Sequence, residues 1–365
     1  MIKLATVFSG IGSIEWALKR LNVEHEIVFA CDNGEIDIPN ISEDEVRQTV
    51  KSLSTLEEQK EYINQLLKST SKCNFVKQTY LANYPIDESK FLHDIRFIDG
   101  TKYTGEVDLF VGGSPCQSFS IMGYKRGLED TRGTLFYEYA RLVKEIKPKV
   151  FIYENVQGLL QHDRGKTWEV IKAVFDDLGY YLSTMVLDAK DCGIPQTRRR
   201  LLVVGIRDYN KQVEPPKPVE LKYTLQDFLE SSVKEGCFTS KDGSLVLKKE
   251  TGTIDKKYFL SDLVYKHVMS TGTKNYHVEP EIDLKIARPL LATMHKMHRA
   301  GVDNYVTHEG KVRKLTPREC LRLMGYDDSF KIVVSDTQMY KQAGNSIVVD
   351  MMVQLLKQIL PLGVL

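Results

Sequence analysis

The chain is poor in several features that would fix its class early. Of its 365 residues only six are cysteine, namely Cys31, Cys73, Cys116, Cys192, Cys237 and Cys320, and no two of them form a C-x-x-C pair. Zinc ligands cluster at short spacings, so this scatter argues against a structural zinc site, and no metal is expected. A disulfide framework suits small secreted chains, so free thiols in a reducing cytoplasm are expected instead. Charge of one sign is also missing: 50 Lys and Arg stand against 49 Asp and Glu, a net charge of +1. Bulk charge therefore gives no pull toward nucleic acid, and any basic surface must be local. No apolar run approaches the roughly 18–20 residues of a membrane span. Met1 to Phe8 reads as a strand and not as a secretory signal. Repeats and low-complexity tracts are absent. What remains is a globular chain, expected in the cytoplasm with no membrane contact.

The chain does contain alternation. Leu4 to Phe8 is a short apolar run that ends at Ser9-Gly-Ile-Gly12. A helical pattern follows, with Ile14, Ala17, Leu18 and Leu21 on one face, and then a second apolar run from Ile27 to Ala30. Further strands are predicted at Val107–Val111, Val150–Tyr153, Tyr181–Leu187 and Leu201–Ile206, and helices at Thr134–Ile146 and Thr167–Leu178. This order predicts an α/β fold with a doubly wound, mostly parallel sheet and helices on both faces. Residues 34–72 interrupt it as a charged helical insertion, read as a solvated surface excursion, with Ser42 as N-cap and Glu45 three residues on. Residues 1–208 then form the first domain. The texture changes at Glu214-Pro-Pro-Lys-Pro218, and residues 209–312 form a second, smaller domain. Residues 313–365 lead back to the first, and their last helical pattern, Met339–Leu360, is expected to dock there.

Several positions carry chemistry. The Phe8-Ser-Gly-Ile-Gly12 loop leaves a strand and opens a helix, a place where backbone N–H groups meet a ligand. Asp32, at the end of the second strand, suits a ribose diol. These two features do not separate a nicotinamide cofactor from S-adenosylmethionine. Pro115-Cys116 follows a strand at the end where doubly wound sheets bind ligands, and its polar neighbours leave the thiol reachable as a nucleophile. Glu154 ends the adjoining strand, where a carboxyl group could act as acid or hydrogen-bond partner. Arg198 and Arg200, two apart at a strand start, would point together, with Arg199 turned away.

Taken in order, these segments resemble the DNA cytosine-5 methyltransferases, especially those of bacterial restriction–modification systems. The resemblance runs through Phe8-Ser-Gly-Ile-Gly12, Asp32, His93-Asp-Ile95, Ser114-Pro-Cys-Gln117, Arg132-Gly-Thr-Leu135 and Tyr153-Glu-Asn-Val156. It continues through Gly193-Ile-Pro-Gln196, Arg198-Arg-Arg200, the stretch from Arg313 to Gly325, and Gln342-Ala-Gly-Asn-Ser346. It implies S-adenosyl-L-methionine as cofactor, held by Phe8, Gly10, Ile11, Gly12, Asp32 at the ribose, Asn33, Asp94 and Ile95 at the adenine, Pro115, Leu135, Asn345 and Ser346. It implies Cys116 as nucleophile, with Glu154, Arg198 and Arg200 holding the cytosine. Gln117 to Arg132 resembles the mobile active-site loop, with Gln117, Ser120 and Arg132 on DNA. The second domain would recognise the target sequence. The chain departs from the family pattern in three places. Asn33 stands where an aromatic or apolar residue is usual, the 34–72 insertion is unusually long, and Pro289-Leu-Leu-Ala-Thr293 is the nearest counterpart of a Thr-Leu pair.

The implied partner is double-stranded DNA, met by a monomer that protects the sites of a cognate restriction endonuclease. Three other readings stand beside this one. A transfer-RNA cytosine-5 methyltransferase would share the core and is suggested by Cys237-Phe-Thr239. A catalytically inactive DNA-binding relative would not need Cys116, Glu154, Arg198 and Arg200 intact. A nicotinamide-dependent oxidoreductase rests on the glycine loop alone.

Overall fold

The computed structural model describes residues 1–114, 135–230, 254–273 and 276–365, with the backbone of two further strands at 235–238 and 245–248. Pro115, Cys116, Gln117, Ser120, Arg132 and the proposed mobile loop lie outside the described residues, as does the side chain of Cys237.

Seven strands form the central sheet: β1 (Ile2–Val7), β2 (His25–Cys31), β3 (Phe91–Leu92), β4 (Leu109–Gly112), β5 (Val150–Val156), β6 (Tyr180–Asp188) and β7 (Arg199–Arg207). Their spatial order is β3-β2-β1-β4-β5-β7-β6. The first five are parallel, and β7 runs antiparallel to β5 and β6. This is the expected mostly parallel sheet. The winding reverses between β1 and β4, which opens a crevice at their carboxyl ends. β1, β4 and β5 are nearly continuous apolar runs because both of their faces are covered. In β6, at the far edge, Tyr181, Thr184 and Val186 are exposed, the last two in strand alternation with buried Met185 between them.

Two cores sandwich the sheet. One packs α1 (Ser13–Arg20) and α10 (Val349–Ile359) on one face; the other packs α5 (Leu135–Ile146) and α6 (Lys166–Asp177) on the opposite face. α1 is buried on more than the expected apolar stripe, since Glu15, Trp16 and Arg20 are also inside. Arg20 pairs with Asp350 of α10 at 2.8 Å, so the C-terminal helix docks on the first. The single pattern expected over Met339–Leu360 is two helices, α9 (Asp336–Asn345) and α10. They break at Ser346, whose extended backbone serves contacts described below.

The insertion holds α2 (Glu43–Ser52) and α3 (Leu56–Leu67), with Ser42 capping the first as expected. It is more than a solvated excursion: Ile38, Val46 and Val50 bury themselves against Phe97. α4 (Phe75–Asn83) then leads to β3. Between β7 and α8 the described elements are short. They are the strand pairs β8 (Glu235–Phe238)/β9 (Leu245–Lys248), β10 (Gly272–Thr273)/β11 (Tyr276–His277) and β12 (Tyr305–His308)/β13 (Lys311–Lys314), with α7 (Asp262–Val268) among them. Val268, Ala300 and Tyr305 form a small separate core here. β13 crosses the 312/313 line, so a boundary there would cut a hairpin. α8 (Pro317–Leu323) begins at a capping box between Thr316 and Glu319.

Candidate active site

The glycine loop leaves β1 through a left-handed residue, Phe8, and then Gly10 and Gly12 are left-handed as well. Gly12 has no substitute: a Cβ there would lie 2.4 Å from the Tyr84 ring, whose hydroxyl donates to the carbonyls of Ile11 and Gly12. A Cβ on Gly10 would instead meet nothing within 4 Å, so the backbone there opens to free space. Ser9 ties the loop to the end of β2 through both backbone groups of Cys31. Asp32 follows directly, and its carboxylate accepts the N–H of Gly10 at 2.9 Å and of Gly34 at 2.8 Å. Burial pushes this carboxyl group up, opposed by those two N–H groups. An open glycine backbone beside an acid suited to a diol fits a nucleoside-bearing cofactor.

Ile95 is buried next to this crevice, and the Asp94 carboxylate is held by Arg96 at 2.6 Å. Asn33 is half-buried, and its Oδ1 accepts the N–H of Glu35. Leu135 opens α5 half-buried, whereas Ile11 is fully inside. Ser346 reaches the start of α1, just past the glycine loop: its Oγ lies 2.9 Å from Ser13 Oγ and 3.1 Å from the Tyr326 hydroxyl. Asn345, by contrast, is exposed.

Glu154 and Arg200 meet at the carboxyl end of β5. Arg200 Nε lies 2.8 Å from Glu154 Oε1, and both side chains are largely shielded. The register that pairs Val156 with Arg200 brings them together across the antiparallel β5–β7 ladder. Burial pushes the Glu154 carboxyl group up, and the charges of Arg200 and Arg198 pull it back. Gly113 packs on this glutamate, since a Cβ there would lie 2.6 Å from Glu154 Oε2. The chain therefore passes over Glu154 three residues before Cys116.

Arg198 is spent differently from Arg200. It is buried just before β7, and its terminal nitrogens donate to the carbonyls of Leu290, Gly344 and Ser346 at 2.8–3.0 Å. Burial, and next the charge of Arg200, pull its guanidinium down to about 9, so it stays charged at neutral pH. Arg199 turns outward and pairs with Asp188 at 3.2 Å.

Some supporting residues lie within the sequence motifs but take no role from the sequence alone. Ser114 Oγ lies 2.7 Å from the Tyr153 hydroxyl, and Asn155 Nδ2 donates to that hydroxyl and to the Ser114 carbonyl. This network holds the chain where it leaves for Pro115. The Tyr-Glu-Asn triplet hints at it, but which members face inward depends on the sheet. A cavity of about 660 Å³ lies elsewhere, between α3 and β3, and Asp94 and His93 border it, while Glu154 and Arg200 do not.

Comparison with known proteins bears on the identity of this site. The sequence profile described as C-5 cytosine-specific DNA methylase matches residues 56–361. The type II methyltransferase M.HhaI of Haemophilus parahaemolyticus is 38% identical over 249 residues, spanning 67% of this chain and 73% of that protein. The type II methyltransferase M1.ScrFI of Lactococcus lactis subsp. cremoris is 36% identical over 289 residues, 75% of this chain and 67% of its own. Among solved structures, the S. pombe Dnmt2 methyltransferase superposes with a TM-score of 0.66 at 19% identity over 99% of both chains, a likeness of fold. A profile that matches most of the chain, and a relative this similar over two thirds of it, establish that this protein belongs to the C-5 cytosine-specific DNA methylases, enzymes that use S-adenosyl-L-methionine.

Proposed function

We propose that this protein flips a cytosine out of double-stranded DNA, within a specific short sequence, and methylates its carbon 5 with Cys116 as nucleophile. The observation that carries the reading is the shielded Glu154–Arg200 pair at the crevice, 2.8 Å apart, under the strand that leads into Pro115-Cys116.

The chemistry explains the need for these groups. Carbon 5 of an aromatic cytosine is a poor nucleophile. Addition of the Cys116 thiolate to carbon 6 breaks the aromaticity and gives carbon 5 enamine character. The electron density pushed into the ring collects at N3 and O2. Glu154 in its acid form donates to N3, and burial favours that form. Arg200 donates to O2, while Arg198 adds its charge and keeps Leu290, Gly344 and Ser346 in place. When bound, S-adenosyl-L-methionine supplies an electrophilic methyl group on its sulfonium sulfur. Phe8, Gly10, Ile11, Gly12, Asp32, Asn33, Asp94, Ile95, Pro115, Leu135, Asn345 and Ser346 would hold it. Loss of the carbon 5 proton to a base then re-forms the carbon 5–carbon 6 double bond and expels the thiolate.

Flipping costs a few kcal/mol of stacking. Residues 209–312, as a target-recognition domain, and Gln117, Ser120 and Arg132 on the closing loop would supply contacts that offset it. No helix among the described residues is long and apolar enough to cross a membrane. The cytoplasm, where its DNA lies, is the proposed place of action. It would act there as a monomer that protects the sites of a cognate endonuclease. Cys116→Ser, assayed with labelled cofactor and mixed DNA sequences, tests the reading. Loss of transfer supports it, and a rate near that of the unaltered protein refutes it.

A further inference from the structure

The turn from Asp94 to Phe97 is anchored in two places at once. Ile95 is buried in the core under the sheet, whereas Phe97, two residues on, is buried in the small core of the insertion with Ile38, Val46 and Val50. Polar ties run the same way. Arg96 forks onto both Asp94 oxygens, and its other terminal nitrogen reaches Glu43 of α2. One turn along α2, Arg47 grips Glu138 of α5 through both oxygens at 2.7 and 3.1 Å. Glu138 also accepts from Arg141, which donates to the carbonyls of Ile95 and Ile98 at 3.0 and 2.9 Å. From the opposite side, Gln59 of α3 reaches Asp99, and His93 Nε2 lies 2.9 Å from the carbonyl of Ile36. Yet the turn is not packed solid, because Asp94 and Phe97 border the cavity of about 660 Å³ beneath α3. With open space on one side, the ion pairs add to the packing of Ile95 and Phe97 in fixing the turn.

We propose that the 34–72 insertion is a brace for the cofactor's adenine, with Glu43 and Arg47 as positioning residues that hold Asp94 and Ile95 in one arrangement before the nucleoside arrives. This rests on the reading that Asp94 and Ile95 meet the adenine. It also answers the departure at Asn33: where no aromatic residue closes over the base, a fixed acceptor for its 6-amino group takes on more of the recognition. A turn already ordered spares the binding step the entropy of ordering it.

The test uses the full chain and equilibrium binding. S-adenosylhomocysteine offers Asp94 a 6-amino donor, whereas in its deaminated counterpart, S-inosylhomocysteine, that donor is a carbonyl acceptor and ring N1 carries a proton. The unaltered protein should prefer the first. Asp94→Asn should shrink that preference. The double variant Glu43→Ala/Arg47→Met, at half-exposed positions, should weaken S-adenosylhomocysteine binding by about tenfold, the size of an ordinary coupling between linked sites. It should also shrink the preference, while leaving DNA affinity and the rate at saturating cofactor within about twofold. A merely structural role would not move the preference. If Asp94→Asn shrinks the preference and the double variant leaves it intact, the brace is refuted and the adenine reading stands. If Asp94→Asn leaves the preference unchanged, the adenine reading fails and the brace with it.

Discussion

Glu154 sits under opposed influences, and its chemistry depends on their balance. Desolvation favours the acid, and the guanidinium of Arg200 favours the anion; desolvation is the larger, so the pKa lies above its ordinary value. A reaction that needs the acid should then lose rate as pH rises through that raised pKa. Glu154→Gln should lower kcat by about a hundredfold, the usual worth of a positioned acid, and its pH profile should lack the alkaline fall that Glu154 causes. A profile unchanged in shape would count against the proton at N3. Glu15 gives a parallel case for stability. It is fully buried behind the glycine loop, accepts from Tyr80 and Thr6, and burial pushes its pKa above 4.5. Below the unfolded value both states hold the proton, and the residue makes no pH-dependent demand. As pH rises past that value only the unfolded chain releases it, so stability is lost up to the folded pKa. Glu15→Gln should therefore match the parent's thermal midpoint near pH 4 and exceed it at pH 8; equal midpoints at both would contradict the raised pKa.

Among the elements, the strands were the most legible in the chain, because runs such as Phe151-Ile-Tyr153 are buried on both faces and need no partner to identify them. β3 was not legible: two residues, Phe91 and Leu92, become a strand only because β2 lies beside them. The break between α9 and α10 was hidden for a related reason. Ser346 lies in a helical pattern, and only its contacts with Ser13 and Arg198, 333 and 148 residues away, make the extended backbone worthwhile. The Arg20–Asp350 pair shows what such long-range joints are worth. Both side chains are almost wholly buried, at 2% and 8% exposure. Arg20→Met would leave an uncompensated carboxylate between α1 and α10, and denaturant unfolding should record a loss of about 3–5 kcal/mol. Gly12→Ala tests the loop: a Cβ driven into the Tyr84 ring from a left-handed backbone should weaken cofactor binding at least about tenfold, as measured by calorimetry.

At the scale of the molecule, the sheet brings to one edge residues that the chain keeps far apart. Asp32, Glu154 and Arg200 were legible as candidates because each lies close to a strand end on the side where doubly wound sheets commonly bind ligands. Arg198 was legible as a charge but not as a clamp, since its three carbonyl partners come from the distant segments at Leu290, Gly344 and Ser346. The Glu43 and Arg47 contacts were equally invisible, because a charged helix reads as a solvated face until Arg96 and Glu138 are placed against it. With a net charge of only +1, attraction to DNA has to come from local cations. Affinity for cognate duplex should therefore fall linearly with the logarithm of salt concentration, with a slope set by the few phosphates engaged. The most direct measurement is a covalent one. A duplex library carrying 5-fluorocytosine, incubated with protein and S-adenosyl-L-methionine, blocks the loss of the carbon 5 substituent and traps the adduct. Peptide mapping should find the DNA attached at Cys116 and nowhere else. A cross-link at another residue, or methyl transfer to ordinary cytosine with no adduct trapped, would contradict the account.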